Sequence, residues 1–330
     1  MLNAAVVGLG RWGRRLVDSV QDHGAPKSDK IHFKRAVVRT LDSHREYAAS
    51  QKLSLGDSLE DALNDRSIDA VVLATPHLQH PEQIIAAAKA GKHVFVEKPL
   101  ALGFSEAVAA ISAANEAKVV VGVGFNRRYL PAAERLKKLL ADGKFGTLLH
   151  IDGNFSNDSG LNYKAGMWRA AESGPKSAMT AMGIHTLDFF IHLFGPIESV
   201  RTTSTRIASP VNVDDVVFVN IKFKNGATGS LSTMLTTPRH WRIQIFGTKL
   251  SAYMRDEHLL DLNMTGQPLE EIAFEAVDTV RLELESFAAA VSGESEFRVP
   301  TGEALHGVAV FEAILESAAQ DGAIVSVKNR

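Results

Sequence analysis

The chain has 330 residues, a length that suits one large domain or two ordinary domains. Hydrophobic residues make up 45% and charged residues 22% of the sequence, which is the balance of a globular protein with enough apolar material for a core. Lysine and arginine number 36 and aspartate and glutamate 38, so the net charge of −2 provides no positive field for nucleic acid. The absence of cysteine excludes a disulfide framework, a thiolate nucleophile and a cysteine-based metal site.

The N-terminal residues carry no secretory pattern. They run directly into the apolar stretch at residues 4–8, without a basic region followed by a longer apolar region. No apolar run reaches the roughly 18 residues that a membrane-spanning helix needs. These patterns predict a cytoplasmic protein with neither a membrane nor a nucleic acid as its partner.

In the first third of the chain, short apolar runs alternate with helical patterns. The helix predicted over residues 82–90, for example, has Pro81 at its first turn and Gly91 after its end. The runs are rich in valine, alanine and leucine, as in strands buried on both faces, and cover residues 2–7, 33–38, 70–74, 94–96 and 119–123. The alternation predicts an α/β fold with right-handed crossovers and a doubly wound parallel sheet.

After about residue 147 the pattern changes to strands that follow one another through tight turns. Helices are predicted over residues 181–194, 278–291 and 302–319, and Asn225-Gly226 is a strong hairpin signal because both residues tolerate positive φ. The predicted strands cover residues 147–155, 199–207, 213–223, 227–235, 241–246 and 250–254. We therefore expect a first domain over residues 1–123 and a second over residues 124–330, built on a mostly antiparallel sheet.

A G-x-G-x-x-G motif follows the first predicted strand and precedes a helix. It comprises Gly8, Gly10 and Gly13, with Arg11 and Trp12 between the last two glycines. The first glycine permits a tight turn, the second lets the backbone approach a pyrophosphate, and the third allows close packing of helix and strand. The free N–H groups of the helix N-terminus attract phosphate. The motif predicts the dinucleotide site of a Rossmann domain; the alternative is a purely structural glycine turn.

The end of the second predicted strand bears on the choice of cofactor. A Rossmann domain that binds NAD has an acidic residue there for the ribose 2′-hydroxyl, whereas this sequence has Arg39 followed by Thr40. Arginine attracts the 2′-phosphate that a carboxylate would repel. We therefore expect NADP to be favoured over NAD; the alternative is a solvated Arg39 with Asp42 serving the ribose.

Two further segments follow predicted strands at the sheet edge where open α/β sheets bind ligands. Thr75-Pro76 and His80 lie after the third strand, and Glu97 and Lys98 lie after the fourth. We expect both segments to contribute to the cofactor site. A lysine at this edge could also polarise a substrate oxygen or carry a proton, although a lysine considered alone is more often a solvated charge.

Taken together, these motifs resemble the glucose–fructose oxidoreductase/inositol dehydrogenase (Gfo/Idh/MocA) family over essentially the whole chain. The motifs that carry the resemblance are, in chain order, the G-x-G-x-x-G, Thr75-Pro76 with His80, Glu97-Lys98-Pro99, Gly124-Phe125-Asn126-Arg127-Arg128, Gly183-Ile184-His185 with Asp188, and Ile245-Phe246-Gly247-Thr248. The resemblance implies a Rossmann domain, a C-terminal α+β domain with a large open sheet, and NAD(P)-dependent oxidation or reduction of sugars, inositols and related polyols. It also implies a homodimer or homotetramer formed through the open sheet, whose outer face we expect to be apolar.

The resemblance assigns Lys98 and His185 as the catalytic residues. Many members have an aspartate four residues before the histidine, and Ala181 stands there in this sequence. His185 could still accept a proton while Lys98 stabilises a developing alkoxide. Asp188, one helical turn further on, could orient the imidazole or pair locally. We expect the two catalytic residues to contact the substrate. We expect the same of two further residues, Arg128 and Asp188.

Two further observations complete the expected site. Trp168 and Arg169 precede the helix that carries the histidine and could wall the substrate pocket, with the arginine binding hydroxyls or a carboxylate; an ordinary core position is the alternative for the tryptophan. His185, Asp188 and His192 share a helix face, but no further ligand stands at metal spacing, so no metal is expected.

The function that these features predict is NAD(P)-dependent hydride transfer at a carbinol or ketone carbon of a sugar, an inositol or a related polyol. The alternative is a catalytically silent regulatory protein on the same fold that senses a dinucleotide or a sugar, because fold alone does not fix function. Ala181 favours that alternative, whereas the presence of both Lys98 and His185 argues against it.

Overall fold

The computed structural model describes residues 1–21, 26–168 and 177–328. The chain divides into two compact units. Unit 1 comprises Met1–Asn126 and Asp278–Leu305, and unit 2 comprises Arg127–Val277 and His306–Arg330. Each unit contains one sheet.

The first part of unit 1 alternates strands and helices as the sequence predicts. The strands are β1 (Leu2–Val7), β2 (Ile31–Val37), β3 (Ser54–Gly56), β4 (Ala70–Leu73), β5 (His93–Glu97) and β6 (Val121–Gly124). The helices between them are α1 (Arg11–Gln21), α2 (Arg45–Ser50), α3 (Leu59–Asn64), α4 (His80–Lys89) and α5 (Phe104–Glu116).

The remaining elements run from residue 131 to the C-terminus. The helices are α6 (Pro131–Ala141), α7 (Ile184–Phe194), α8 (Thr279–Ser292) and α9 (Thr301–Ala319), and the π-helical segment Met179–Gly183 leads directly into α7. The strands are β7 (Leu148–Ser156), β8 (Ile197–Thr205), β9 (Val216–Phe223), β10 (Thr228–Met234), β11 (His240–Gly247), β12 (Leu250–Met254), β13 (Leu259–Met264), β14 (Glu270–Ala273) and β15 (Val325–Ser326).

The sheet of unit 1 has the order β3-β2-β1-β4-β5-β6, and every neighbouring pair is parallel. This is the 3-2-1-4-5-6 order of a Rossmann fold, so the predicted doubly wound sheet is confirmed. All four residues of β4 are buried, as expected for a strand covered on both faces. The order brings the ends of β1, β4 and β5 to the same edge, where the predicted cofactor motifs begin.

The segment from residue 278 to 305 returns to unit 1, whereas the sequence suggests two consecutive domains. Its aromatic side chains explain this. Phe287 and Phe297 pack edge-on against Phe95 of β5, with ring centroids 5.7 and 6.4 Å away. A Cβ at Gly122 of β6 would come within 3.0 Å of the Phe287 ring, so the glycine leaves the space that the ring fills. The return is a long-range packing effect that strand and helix patterns do not reveal.

The sheet of unit 2 has the order β14-β13-β12-β11-β7-β10-β9-β8-β15. All its neighbouring pairs are antiparallel except β7 and β10, which confirms the predicted mostly antiparallel sheet. The hairpin between β9 and β10 turns at Gly226, whose φ is +89°. Three short or polar strands, β13, β14 and β15, were not predicted because they lack a clear alternating pattern.

The two faces of this second sheet differ in polarity, and the expectation of an apolar outer face is wrong. Alternate residues such as Ile151, Leu231 and Ile243 are buried on one face. The other face carries mainly polar side chains, which form cross-strand hydrogen bonds and an ion pair: His150 to Thr228 and Ser230, Asn154 to Ser232, and Arg242 to Asp152. Period-two alternation therefore separates an apolar face from a polar one.

In the described part of the chain, no helix combines the length and apolar character needed to cross a membrane.

Candidate cofactor and active-site residues

The glycine loop after β1 has the geometry that a dinucleotide requires. Gly8 has a φ of +97°, and a Cβ there would lie 2.8 Å from the Ala74 carbonyl oxygen. A Cβ at Gly13 would lie 1.8 Å from the Gly8 carbonyl oxygen. A Cβ at Gly10, by contrast, would meet no described atom within 4 Å. The chain itself therefore requires the first and third glycines, and the open space at Gly10 fits the close approach of a cofactor phosphate.

Arg11 and Trp12 form the first turn of α1, and both are exposed. The free N–H groups of this turn and the positive end of the helix dipole are suited to a pyrophosphate. The Trp12 side chain also lies close enough to the Glu97 carboxyl, at the end of β5, to favour the ionised form of that carboxyl. The sequence places these two residues in separate motifs and gives no sign of this contact.

Arg39 and Thr40 lie just beyond the end of β2, and both are exposed. Asp42, the alternative partner for a ribose, forms an ion pair with Arg45 at 2.8 Å. A nearby guanidinium, that of Arg14, lies over the Tyr47 ring with its carbon 4.7 Å from the ring centroid. The end of β2 therefore presents more positive than negative charge.

Glu97 and Lys98 lie where β5 ends. Glu97 is only 7% exposed. Burial raises the pKa of its carboxyl to about 7, against the opposing effects of the Lys98 charge, the Trp12 side chain and the Lys98 backbone N–H. Lys98 itself is half-buried. A carboxyl with this pKa titrates close to physiological pH, which is unusual for glutamate.

His80, which is expected at the cofactor site, contacts backbone carbonyl groups with both ring nitrogens. Its side chain is fully buried, with Nδ1 2.8 Å from the Pro99 carbonyl oxygen and Nε2 3.0 Å from the Thr75 carbonyl oxygen. Burial lowers the pKa of the imidazole, against the effect of the two carbonyls. The Thr75 hydroxyl donates to Gln83 Oε1 at 2.6 Å. The ring thus joins the Thr75-Pro76 segment to the segment after β5 and leaves neither nitrogen for a cofactor.

His185 is the second residue of α7, in unit 2. It is 7% exposed, and its ring packs against Phe155 of β7 with centroids 5.7 Å apart. Ala181, at the position of the usual aspartate, is buried within the π-helical segment. A π-helical turn is rare and is frequently found at functional sites. The sequence predicts a helix here but gives no sign of its irregular start.

Arg128 and Asp188, which are expected to contact the substrate, bind each other in the structure. Arg128 donates from Nε to Asp188 Oδ2 at 2.8 Å and from Nη2 to Oδ1 at 2.6 Å. Both side chains are buried, and His192 Nδ1 lies 3.2 Å from Arg128 Nη1. A buried bidentate pair of this kind satisfies both charges and fixes the start of the unit on α7. Asp188 therefore pairs locally with the arginine.

The residues predicted to wall the substrate pocket are described only in part. Trp168 is 45% exposed, so it is not an ordinary core residue. Arg169 lies outside the described residues. Within the described ranges, no group of three or more histidine, aspartate or glutamate side chains is arranged to hold a metal ion.

A cluster beside Phe155 was not predicted. The guanidinium carbon of Arg127 lies 5.1 Å from the Phe155 ring centroid and 5.5 Å from that of Trp241. Glu257 binds Arg127 at 2.5 Å and also binds Arg239. These residues lie on separate elements of unit 2, so no local sequence signal could have grouped them.

Comparison with known proteins agrees with this geometry. Residues 2–125 match the model of an oxidoreductase family with an NAD-binding Rossmann fold, and residues 133–253 match that of the GFO/IDH/MocA C-terminal domain.

Two curated relatives cover most of the chain. The scyllo-inositol 2-dehydrogenase (NAD(+)) of Bacillus subtilis is 30% identical over 82% of this chain and 80% of its own length. The levoglucosan dehydrogenase of Pseudarthrobacter phenanthrenivorans is 29% identical over 70% of this chain and 67% of its own length.

The solved structures include a levoglucosan dehydrogenase in complex with NADH and levoglucosan. It covers 100% of both chains with a TM-score of 0.89 at 24% identity, a level at which the likeness concerns the fold. The matched domains and the inositol dehydrogenase identity together show that this chain belongs to the Gfo/Idh/MocA family of NAD-binding oxidoreductases.

Proposed function

We propose that this oxidoreductase acts on a carbinol or ketone carbon of a sugar, an inositol or a related polyol. The observation that carries the proposal is the glycine loop, with its open space at Gly10, in the same unit as Lys98 at the end of β5. The two relatives named for inositol and levoglucosan oxidation support the substrate class.

His185 accepts the proton of the substrate hydroxyl, and Lys98 stabilises negative charge that develops on the substrate during hydride transfer. The nicotinamide ring, when bound, supplies the acceptor or donor of the hydride. Because Ala181 has no carboxylate, His185 acts without the aspartate found in many members. Trp168 and Arg169 contact the sugar, whereas Arg128 and Asp188 act only by fixing the start of unit 2 against α7.

We propose NADP as the favoured cofactor. Arg39 and Thr40 are exposed after β2 and stand where an acidic residue would bind the ribose of NAD. Asp42, which could replace that residue, is paired with Arg45. The positive charge of Arg39 is therefore not neutralised by the carboxylate of Asp42. An exposed guanidinium of this kind favours a ribose that carries a 2′-phosphate.

We also propose that the chain forms a homodimer or homotetramer through the polar face of the nine-stranded sheet. This face lacks the apolar character first expected, but Phe218 of β9 is exposed among its polar side chains. A two-fold interface would bring the same polar network of both copies together. Light scattering at micromolar concentration tests this assembly, and a monomer mass would contradict it.

The catalytic proposal is tested by nicotinamide absorbance on a panel of polyols and aldoses. We expect turnover with at least one of them and a fall in kcat/KM of about 10²–10³ for Lys98→Met and about 10²–10⁴ for His185→Ala. Lys89→Met and His240→Ala, at exposed positions of the same two units, are the matched controls and should keep the wild-type rate. Binding of dinucleotide without turnover on any substrate would favour the regulatory alternative.

A further inference from the structure

The cluster beside Phe155 carries more positive than negative charge. Arg127 and Arg239 both bind the carboxylate of Glu257, so two guanidinium groups share one negative charge. The Arg127 side chain is only 12% exposed, and it already provides Glu257 with a counter-charge. The Arg239 side chain is 60% exposed. The excess positive charge of these three side chains is therefore presented to solvent at Arg239.

The sheet places Arg239 on the face that carries His185. Phe155 of β7 pairs in register with Trp241 of β11, and both side chains are buried on the face that packs against α7. Arg239 lies two residues before Trp241, and alternation along an extended chain puts both on the same face. The guanidinium carbon of Arg239 lies 5.6 Å from the Phe155 ring centroid, and the His185 ring centroid lies 5.7 Å from the same point. The exposed charge and the proposed base are thus neighbours of one ring.

Two contacts fix the Arg239 guanidinium although it is exposed. Its Nη2 atom donates to Glu257, and its charged plane lies over the Phe155 ring. A guanidinium has five N–H donors, so donors remain for a second anion. The planar fork matches the geometry of a carboxylate or a phosphate group, and a side chain that is already held loses little entropy when it binds one.

We propose that Arg239 is a specificity-determining residue that binds an anionic substituent of the substrate, a carboxylate or a phosphate group, while the reacting carbinol faces His185. This inference rests on the proposed function, because it takes His185 as the proton acceptor for the same substrate. A sugar acid or a sugar phosphate carries its anionic group a few carbon atoms from its secondary hydroxyls, so one molecule reaches both residues. The substrate class narrows from sugars and polyols in general to their anionic derivatives.

The first experiment compares matched pairs of substrates in the nicotinamide absorbance assay. The pairs are galactose with galacturonate and glucose with glucose 6-phosphate, so that the two arms distinguish a carboxylate from a phosphate. We expect kcat/KM of at least one anionic compound to exceed that of its neutral counterpart by about 10- to 100-fold, because hydrogen bonds to charged groups are the strong ones. Equal values within each pair, or a preference for the neutral compounds, would overturn the proposal.

Variants of Arg239 assign this preference to its guanidinium. Arg239→Gln should remove the preference chiefly by raising KM of the anionic compound, because a substituent that does not react is bound alike in the ground state and the transition state. Arg239→Lys keeps the charge but loses the fork, so its preference should lie between those of the wild type and Arg239→Gln. Arg206→Gln, at another exposed arginine of unit 2, is the control and should keep the preference. A preference that survives in Arg239→Gln would refute the assignment.

The wild type provides a test that needs no variant. Because the Arg239 side chain is mostly exposed, added salt should screen its charge and reduce the preference for the anionic compound. A preference that does not change with salt would contradict the proposal, even if Arg239→Gln did not fold.

Calorimetric binding separates this inference from the proposed function. If no compound is turned over, the proposed function fails, but the Kd values of galacturonate and glucose 6-phosphate still measure anion binding. A Kd that rises about tenfold or more in Arg239→Gln but not in Arg206→Gln would support Arg239 as the anion site. Equal Kd values in the wild type and Arg239→Gln, or no binding of either anion, would overturn it. Turnover of neutral compounds alone would keep the proposed function and overturn this inference.

Discussion

The two units differ in what places their functional residues. In unit 1, backbone geometry places the functional residues. Gly8 and Gly13 leave no space for a Cβ, and the strand order brings their loop to the same edge as Lys98. In unit 2, contacts between side chains far apart in sequence place the functional residues. Arg128 and Asp188, for example, bind each other although they are 60 residues apart. A backbone constraint appears as a fixed motif, whereas a long-range pair leaves no local trace. The predictions below test this difference.

Substitution at the glycine loop should have the largest effect. Gly13→Ala should destabilise the protein by more than about 4 kcal/mol, because its Cβ would overlap the Gly8 carbonyl and force the backbone to move. Gly10→Ala should leave stability within about 1 kcal/mol, because nothing described lies within 4 Å of its Cβ. Urea unfolding of both variants measures the difference.

The same pair separates folding from cofactor binding. Gly10→Ala should still weaken dinucleotide binding at least about tenfold, because the added methyl group occupies the space that we assign to a phosphate. A Gly10→Ala variant that binds as the wild type does would show that the open space is not the phosphate site. Equal stability of the two variants would show that the backbone constraint at Gly13 does not determine the conformation of this loop.

Breaking the buried ion pair between Arg128 and Asp188 tests whether side-chain contacts hold this region of unit 2. Asp188→Asn should cost about 3–5 kcal/mol of unfolding free energy, because it leaves the buried Arg128 guanidinium without its counter-charge. Asp142→Asn, which breaks the exposed pair with Lys138, is the control and should cost about 0.5 kcal/mol or less. A small effect at Asp188 would mean that side-chain pairs do not hold this region.

Much of the fold follows from the sequence. Continuous apolar runs predict β1, β4 and β5 because strands covered on both faces need apolar side chains at every position. The three-residue strand β3 and the short strand β15 escape such analysis, since neither is long enough to show a period. Packing around Phe287 and Phe297, rather than any local pattern, returns the segment from residue 278 to 305 to unit 1.

The site is predictable to the extent that motifs carry it. Gly8, Gly10 and Gly13 were identified from spacing, and their geometry agrees with the roles assigned to them. His80 was recognised as part of a motif, but its burial and its two carbonyl contacts could not be inferred from the motif. The polar outer face of the second sheet was also missed, although the period-two alternation of strands such as β9 and β10 already separates an apolar face from a polar one.

The charge on Glu97 makes a smaller, pH-dependent contribution to stability. Its pKa lies near 7 in the folded protein and near the ordinary value of 4.5 in the unfolded chain. The folded state therefore keeps a proton that the unfolded chain has already lost, and wild-type stability falls as the pH rises from about 4.5 to about 7. Glu97→Gln should be more stable than the wild type by about 1–3 kcal/mol at pH 8.

Urea unfolding at pH 5 and pH 8 checks this sign. The advantage of Glu97→Gln should be small at pH 5 and larger at pH 8, while Glu116→Gln, at an exposed position on α5, should follow the wild type at both. A constant difference at the two pH values would show that the carboxyl does not titrate between them.

The end of β2 should show the smallest effect, because Arg39 is exposed and solvent screens its charge. Arg39→Ala should weaken NADP binding by about tenfold, or about 1.4 kcal/mol, and leave NAD binding nearly unchanged, because only NADP carries the 2′-phosphate. Fluorescence titration with each dinucleotide measures the ratio of the two dissociation constants, and Arg66→Ala, another exposed arginine of unit 1, is the control. Added salt should reduce the preference of the wild type, as expected for an exposed charge pair. Tighter binding of NAD than of NADP by the wild type, or an unchanged ratio in Arg39→Ala, would contradict the assignment and leave Asp42 as the residue that contacts the ribose.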